Sequence, residues 1–189
     1  MLARIQANIV AEKIKEEFSN INIEFLTKET SGDIDLSTPL HKMPDPGVFT
    51  NDIREELLKN KADLAVHSWK DLPVELQEGT EIVTTLKRED PRDLLIFKKG
   101  SIEKKNIKIF TSSPRRKENL SNFLPEFLSW KPKKINFIDV RGNIQTRISK
   151  LFHSKEDGLV IALAAMKRLL SSPQFIEEET HLLNFLQDS

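Results

Sequence analysis

Cysteine is missing altogether from the 189 residues. No disulfide, thiolate metal site or cysteine nucleophile can be built from this chain. A reducing compartment such as the cytoplasm fits that composition. No apolar run approaches the ~20 residues that a membrane-spanning helix needs. The N-terminal segment is polar at Arg4 and Gln6, which does not read as a signal peptide. The four histidines, His41, His67, His153 and His181, are scattered, which speaks against a metal cluster. Neither a G-x-G-x-x-G run nor a P-loop occurs, so the usual phosphate-cradling signals of nucleotide binders are absent. Net charge is missing too. With 29 basic and 29 acidic side chains, a uniformly basic nucleic-acid binder is disfavoured.

What is there is a globular composition, 38% hydrophobic and 31% charged, long enough for one domain or two small ones. The zero net charge hides an asymmetry. Residues 1–87 carry 10 basic and 16 acidic side chains, and residues 88–189 carry 19 and 13. A basic second half beside an acidic first half is suited to an anionic ligand.

Helical spacing of Ile5, Ile9, Val10, Ile14 and Phe18 predicts a helix over 2–18. Alternation predicts a strand over 21–26. Gly, Pro, Asp and Ser make 30–46 a loop. A helix follows over 51–58 from an Asn or Thr cap. Short apolar runs predict strands over 62–66 and 82–86. The charged run 88–92 marks a domain crossing, dividing the chain into 1–87 and 88–189. Strands are then expected over 94–97, 107–110, 135–140 and 159–163. Helices are expected over 115–123 and 143–152, from the last strand to Leu170, and over 175–186. Alternating strands and helices argue an α/β fold with largely parallel sheets. In such sheets ligands bind just beyond the carboxyl ends of strands.

Three segments sit at those ends. Thr111-Ser112-Ser113-Pro114-Arg115-Arg116 starts a helix, with Ser113 as cap and Pro114 at its first position. Two arginines there oppose the helix dipole, which makes sense if an anion lies between them. A solvated basic helix end is the plainer reading. Asp139-Val140-Arg141-Gly142-Asn143-Ile144-Gln145-Thr146-Arg147 repeats the plan. Arg141 and Arg147 can share a site if Arg141 lies in the turn; surface salt bridges are the alternative. His67-Ser68-Trp69-Lys70-Asp71 follows a buried run, where Asp71 can act as acid, base or stabiliser of a developing cation. A simple capped loop is the plainer reading there. A Ser-His-Asp triad is rejected, because all three lie within five residues of one loop. Four arginines at two strand ends point to a polycarboxylate or polyphosphate.

The run from Ala62 to Glu75 containing His67-Ser68-Trp69-Lys70-Asp71-Leu72-Pro73 resembles the signature of the hydroxymethylbilane synthase (porphobilinogen deaminase) family. So do Arg88-Glu89-Asp90-Pro91-Arg92-Asp93, the Thr111 to Arg116 run, the stretch from Val140 to Lys150, and the stretch from Leu163 to Leu169. They follow in the family's order from about Leu2 to Leu170. The resemblance implies two periplasmic-binding-protein-like domains with mixed, largely parallel sheets and a ligand cleft between them. It implies a transferase that condenses four porphobilinogen molecules into linear hydroxymethylbilane with loss of ammonia. The growing chain hangs from a dipyrromethane cofactor on a cysteine of a third domain. Asp71 would be the catalytic carboxylate. Lys70, Ser68, Thr111, Ser113, Arg115 and Arg116 would hold the cofactor. Arg141, Arg147, Arg168 and Lys42, the last on a loop over the cleft, would hold substrate. Family members are usually monomers that engage a small-molecule substrate, with neither nucleic acid nor membrane as partner.

Several positions depart from the family pattern. Its opening strand has no counterpart here, and its Gly-Gly-Lys-Gly loop is Pro44-Asp45-Pro46-Gly47. Pro114 and Trp69 replace an aliphatic residue and a methionine. The return crossover and the third domain, with its cysteine, are not in the 189 residues. The expectation is a truncated or incomplete form of the enzyme, less stable than a full one or covered at its open sheet edges by a partner. The rival from another class is a non-catalytic two-domain binder of a small polycarboxylate.

Overall fold

The computed structural model describes residues 1–28, 47, 49–75 and 78–189. The expected loop over 30–46, with Lys42 and His41, lies outside the described residues. The chain divides into two compact units, Met1–Arg88 and Glu89–Ser189.

In the first unit, α1 (Leu2–Glu17) forms where Ile5, Ile9 and Ile14 recur at helical spacing, with Ala11 buried. α2 (Asn51–Leu58) begins after Thr50, where the N–H groups of Thr50 and Asn51 both donate to the Gly47 carbonyl at 2.9 Å. Glu56 of α2 is buried. Lys28 donates to it at 2.7 Å and Lys61 stands 3.7 Å away. The Lys28 bond holds the Glu56 carboxyl below its ordinary range, against the opposing push of burial. The strands expected over 21–26, 62–66 and 82–86 do not form. Among the described residues these segments join no backbone ladder. Their pattern sets which side chains share a face, but a strand also needs a neighbour to bond, and none is paired with them. Ile21, Phe25, Leu26, Leu64, Ile82, Val83 and Leu86 are accordingly exposed.

The second unit is built on β1 (Asp93–Phe97), β2 (Asn106–Phe110), β3 (Lys134–Ile138) and β4 (Gly158–Ala162), in spatial order β1-β4-β2-β3. β2 runs parallel to both β3 and β4, and β1 is antiparallel to β4. The sheet is mixed and mostly parallel. The helices are α3 (Pro114–Phe127), α4 (Ile144–His153), α5 (Leu163–Leu170), α6 (Pro173–Glu178) and α7 (Thr180–Gln187). Leu124 and Leu128 pack on one sheet face against Ile107, Ile109 and Val160. Period-two alternation turns Phe110, Leu159 and Ile161 to the other face. Ile148, Leu151, Leu169 and Phe175 are fully buried. Strands covered on both faces read as nearly continuous apolar runs, as the 158–162 run does.

Three boundaries differ from expectation. α3 continues beyond residue 123 through Pro125, which lacks the N–H for the carbonyl of Ser121, because burial of Leu124 and Leu128 holds the last turn. β3 ends at Ile138 because Val140 is bonded to a side chain instead. The single helix expected over 175–186 is two, broken at Glu179.

The sheet's other edge is fastened by buried Asp157. It accepts from the Ser101 hydroxyl at 2.5 Å, Lys104 Nζ at 2.7 Å and the Lys108 N–H at 2.8 Å.

Candidate functional site

Because β2, β3 and β4 are parallel, their carboxyl ends share one edge of the second unit's sheet. Antiparallel β1 starts at that edge, with Asp93 opposite Ala162. Thr111, just past β2, is buried, and its N–H donates to the Ile138 carbonyl at 2.9 Å. Ser113 caps α3 by accepting from the Arg116 N–H at 3.3 Å. Asn143 caps α4 by accepting from the Thr146 N–H at 2.9 Å. Gly142 before it has φ +106°, and a Cβ there would fall 2.7 Å from Thr146 Cγ2, so glycine is required. Ser112 ties the two loops together. Its hydroxyl donates to the Val140 carbonyl at 2.6 Å and accepts from the Val140 N–H at 2.8 Å.

The arginines separate into groups. Arg141 lies in the turn before Gly142, the condition for sharing a site with Arg147. Arg147 Nε donates to the Gly142 carbonyl at 2.7 Å. Burial lowers the Arg147 pKa, and the charges of Arg116 and Arg141 lower it further. Arg116 is held by Asp93 through two bonds, at 3.0 and 2.7 Å. In the first α3 turn, Arg115 is exposed and Arg116 turns to Asp93. Arg168 lies on α5, half-buried. Among the described residues no side-chain bond joins it to the other three.

In the first unit, Trp69–Asp71 form a single 3-10 turn, closed by the Asp71 N–H donating to the Ser68 carbonyl at 2.9 Å. Asp71 is half-buried. Burial raises its pKa, and the nearby Lys70 and His67 charges oppose that rise. Burial also lowers the His67 pKa, with Asp71 opposing. Ser68 is paired with Gln6 of α1, accepting from Nε2 at 3.0 Å and donating to Oε1 at 3.2 Å. That pairing leaves no role for Ser68 as a His-activated nucleophile. Trp69 and Lys70 are exposed. Lys42 lies outside the described residues.

Sequence reasoning missed Asp93, Ser112 and Gln6 as members of these arrangements. Asp93 stood inside a quoted motif, but its partner is 23 residues away; Gln6 and Ser68 are 62 apart. Only the fold brings such pairs together.

The hydroxyls and guanidinium groups at the sheet edge have the donor chemistry for an organic polycarboxylate such as a dipyrromethane. A covalent thioether link cannot form within this chain, which has no cysteine. Among the described residues no helix is long and apolar enough to cross a membrane.

Residues 1–187 match the family described as porphobilinogen deaminase, dipyromethane cofactor binding domain. The chain is 46% identical over 171 residues to a porphobilinogen deaminase of Caldicellulosiruptor saccharolyticus, covering 89% of this chain and 56% of that protein. It is 38% identical over 189 residues to that of Rickettsia bellii, covering 98% and 59%. It is 34% identical over 189 residues to the chloroplastic protein of Euglena gracilis, covering 97% and 38%. The chain spans about half the length of the bacterial relatives it matches.

Proposed function

Because the chain belongs to the porphobilinogen deaminase family, we propose that it serves the hydroxymethylbilane synthase reaction of porphyrin and heme biosynthesis. Each cycle breaks an aminomethyl C–N bond and releases ammonia. It joins that carbon to the unsubstituted α-carbon of the neighbouring pyrrole, which then loses its proton. Four porphobilinogen molecules and one water, which supplies the terminal hydroxyl on release, become one linear hydroxymethylbilane and four ammonia. The reading takes a small-molecule substrate and a monomer in the cytoplasm.

The observation that carries this reading is that Ser112 ties the loop before Arg116 to the loop before Arg141 and Arg147 at one end of the sheet, with Ser113 capping the helix that bears Arg116. Each porphobilinogen brings two carboxylates, and guanidinium groups recognise carboxylates in a fixed, two-pronged geometry. Arg141, Arg147, Arg168 and Lys42 hold substrate carboxylates. Arg115, Arg116, Thr111, Ser113, Ser68 and Lys70 hold those of the dipyrromethane. When bound, that group supplies the pyrrole end from which the product grows.

Asp71 is the acid–base residue. Ionised in a partly desolvated place, it stabilises positive charge developing on a pyrrole nitrogen and helps take the α-proton. The rise that burial gives its pKa brings it closer to a proton-transfer role at neutral pH. Gln6 holds Ser68 beside the turn that carries it.

A second reading is reversible polycarboxylate binding without turnover, which the arginine and hydroxyl donors of the second unit also suit. Incubation of the chain with porphobilinogen, following substrate loss, tetrapyrrole formation and binding heat, separates them. Turnover lost in Asp71→Ala supports the enzyme. Saturable binding without turnover, lost in Arg147→Ala, supports the binder. No binding and no turnover overturns both.

A further inference from the structure

The arginine edge of the second unit contains a carboxylate that no substrate brings. Asp93, the first residue of β1, takes Arg116 by both oxygens, Nε at 3.0 Å and a terminal nitrogen at 2.7 Å. Two features make this more than a surface ion pair. Arg116 lies in the first turn of α3, where a cation meets the positive end of the helix dipole. It also lies within electrostatic reach of Arg147, which feels Arg141 as well. Without a counter-charge, Arg116 and Arg147 would repel each other at one strand edge.

As a source of stability the pair is weak. Partly exposed ion pairs contribute little to stability, and β1 is already fixed by its ladder with β4. As a source of geometry it is strong. A two-pronged guanidinium–carboxylate bond fixes the plane as well as the position of the guanidinium. The anchor is rigid too, because Asp93 is a strand residue registered opposite Ala162 at the head of α5.

We propose that Asp93 is a positioning residue, which fixes the Arg116 guanidinium and offsets the charge of the arginine cluster, so that the edge presents a preset arrangement to ligand carboxylates. The proposal deepens the functional reading above and rests on it for the identity of the ligand. The pair is within the protein, so its existence does not depend on that reading. Asp93 itself touches no ligand. It acts through Arg116, and its removal should weaken binding by letting Arg116 wander.

The test has two arms on the full chain. The first is free of ligand: the side-chain Nε–H signal of Arg116 in nitrogen-15 NMR, assigned by its loss in Arg116→Lys. It should be resolved and slow to exchange in the wild type, averaged in Asp93→Asn, and restored in Asp93→Glu, which keeps a carboxylate. The second is calorimetric titration with porphobilinogen. Asp93→Asn should weaken binding about tenfold, the scale of one oriented charge-assisted contact, with the thermal midpoint nearly unchanged and with recovery in Asp93→Glu. Asp93→Thr, a strand-favouring residue, serves if asparagine disturbs β1. An Arg116 signal unchanged by Asp93→Asn overturns the proposal. So does tighter binding in that variant, which would make Asp93 a competitor of the ligand. If the wild type does not bind porphobilinogen, the functional reading falls while the first arm still decides the role of Asp93.

Discussion

The two units solve the same problem with different completeness. The second pairs every strand it forms, closes both faces of its sheet with helices, and leaves Ile107, Ile109, Ile148, Leu151, Leu159 and Leu169 with no measurable exposure. The first has apolar patterning too, alternation over 21–26 and short apolar runs over 62–66 and 82–86, yet no ladder among its described residues, and Leu26 and Val83 remain 51% and 65% exposed. Apolar pattern alone does not make a core. The lesson is that pairing converts pattern into burial, and burial into stability.

The comparison is broken most directly by truncating one side chain in each unit. Ile148→Ala in α4 removes a fully buried side chain and should cost about 2–5 kcal/mol. Leu64→Ala in the first unit, where the side chain is 42% exposed, should change stability by no more than about 0.5 kcal/mol. Urea unfolding of both variants measures the gap. Equal losses would mean that the first unit buries its apolar segments in solution. Hydrogen exchange gives an independent reading, with the amides of β2 protected and those of 62–66 exchanging fast.

A second experiment sharpens the account of why the second unit holds. Asp157 is buried. Burial pushes its carboxyl up, but the bonds from Lys104, Ser101 and the Lys108 N–H outweigh that and hold it below its ordinary value. A depressed carboxyl contributes stability above the unfolded pKa, and that contribution is lost as pH falls through the folded one. The Asp157 contribution should therefore begin to fall near pH 4 and go on falling as pH drops through the folded pKa. Asp157→Ala strands the Ser101 hydroxyl and the Lys108 N–H, and should cost about 1–3 kcal/mol at neutral pH. Unfolding curves at pH 7 and pH 3 should show a larger deficit for the variant at the first than at the second.

A third falls on the site edge. Ser112→Ala removes both bonds to Val140, at a cost of about 1–2 kcal/mol. It should also loosen the tie between the Arg116 loop and the Arg141 loop. Ser112→Thr, which keeps the hydroxyl, should recover most of the loss. Urea unfolding together with porphobilinogen titration distinguishes lost stability from lost alignment.

The same contrast explains what could be read from the chain alone. Helices of the second unit were legible because their start signals are local: the Ser113 cap with Pro114, and the Gly142-Asn143 turn, lie beside the helices they begin. The strands of the first unit were over-read because apolar pattern, whether alternating or a short run, is local while pairing is not. At the site, Arg141 and Arg147 were legible from the Gly142 turn that joins them. Asp93 with Arg116 and Ser112 with Val140 were not, since their partners lie 23 and 28 residues away and only sheet order brings them together. Arg115 and Arg116 looked equivalent in sequence. The helix separates them, because neighbouring residues point about 100° apart around its axis.

The smallest effect expected is at Asp71, and its sign is the informative part. Burial raises this carboxyl's pKa, so the folded unit disfavours its ionised form. A raised pKa means that the group's contribution is fully present below its unfolded value, near pH 4, and is lost as pH rises through the folded one. Ionised Asp71 is therefore a mild burden on the first unit at neutral pH. Asp71→Asn should leave the thermal midpoint unchanged or slightly higher at pH 7, while removing whatever turnover or cation stabilisation the residue provides. His67 acts with the opposite pH sign. Burial lowers its pKa, so the unit loses stability as pH falls below about 6.5. Melts of wild type, Asp71→Asn and His67→Gln from pH 5 to 8 separate the two. A lower midpoint for Asp71→Asn at pH 7 would mean that the acid holds the first unit together, and that its environment is built for folding instead of chemistry.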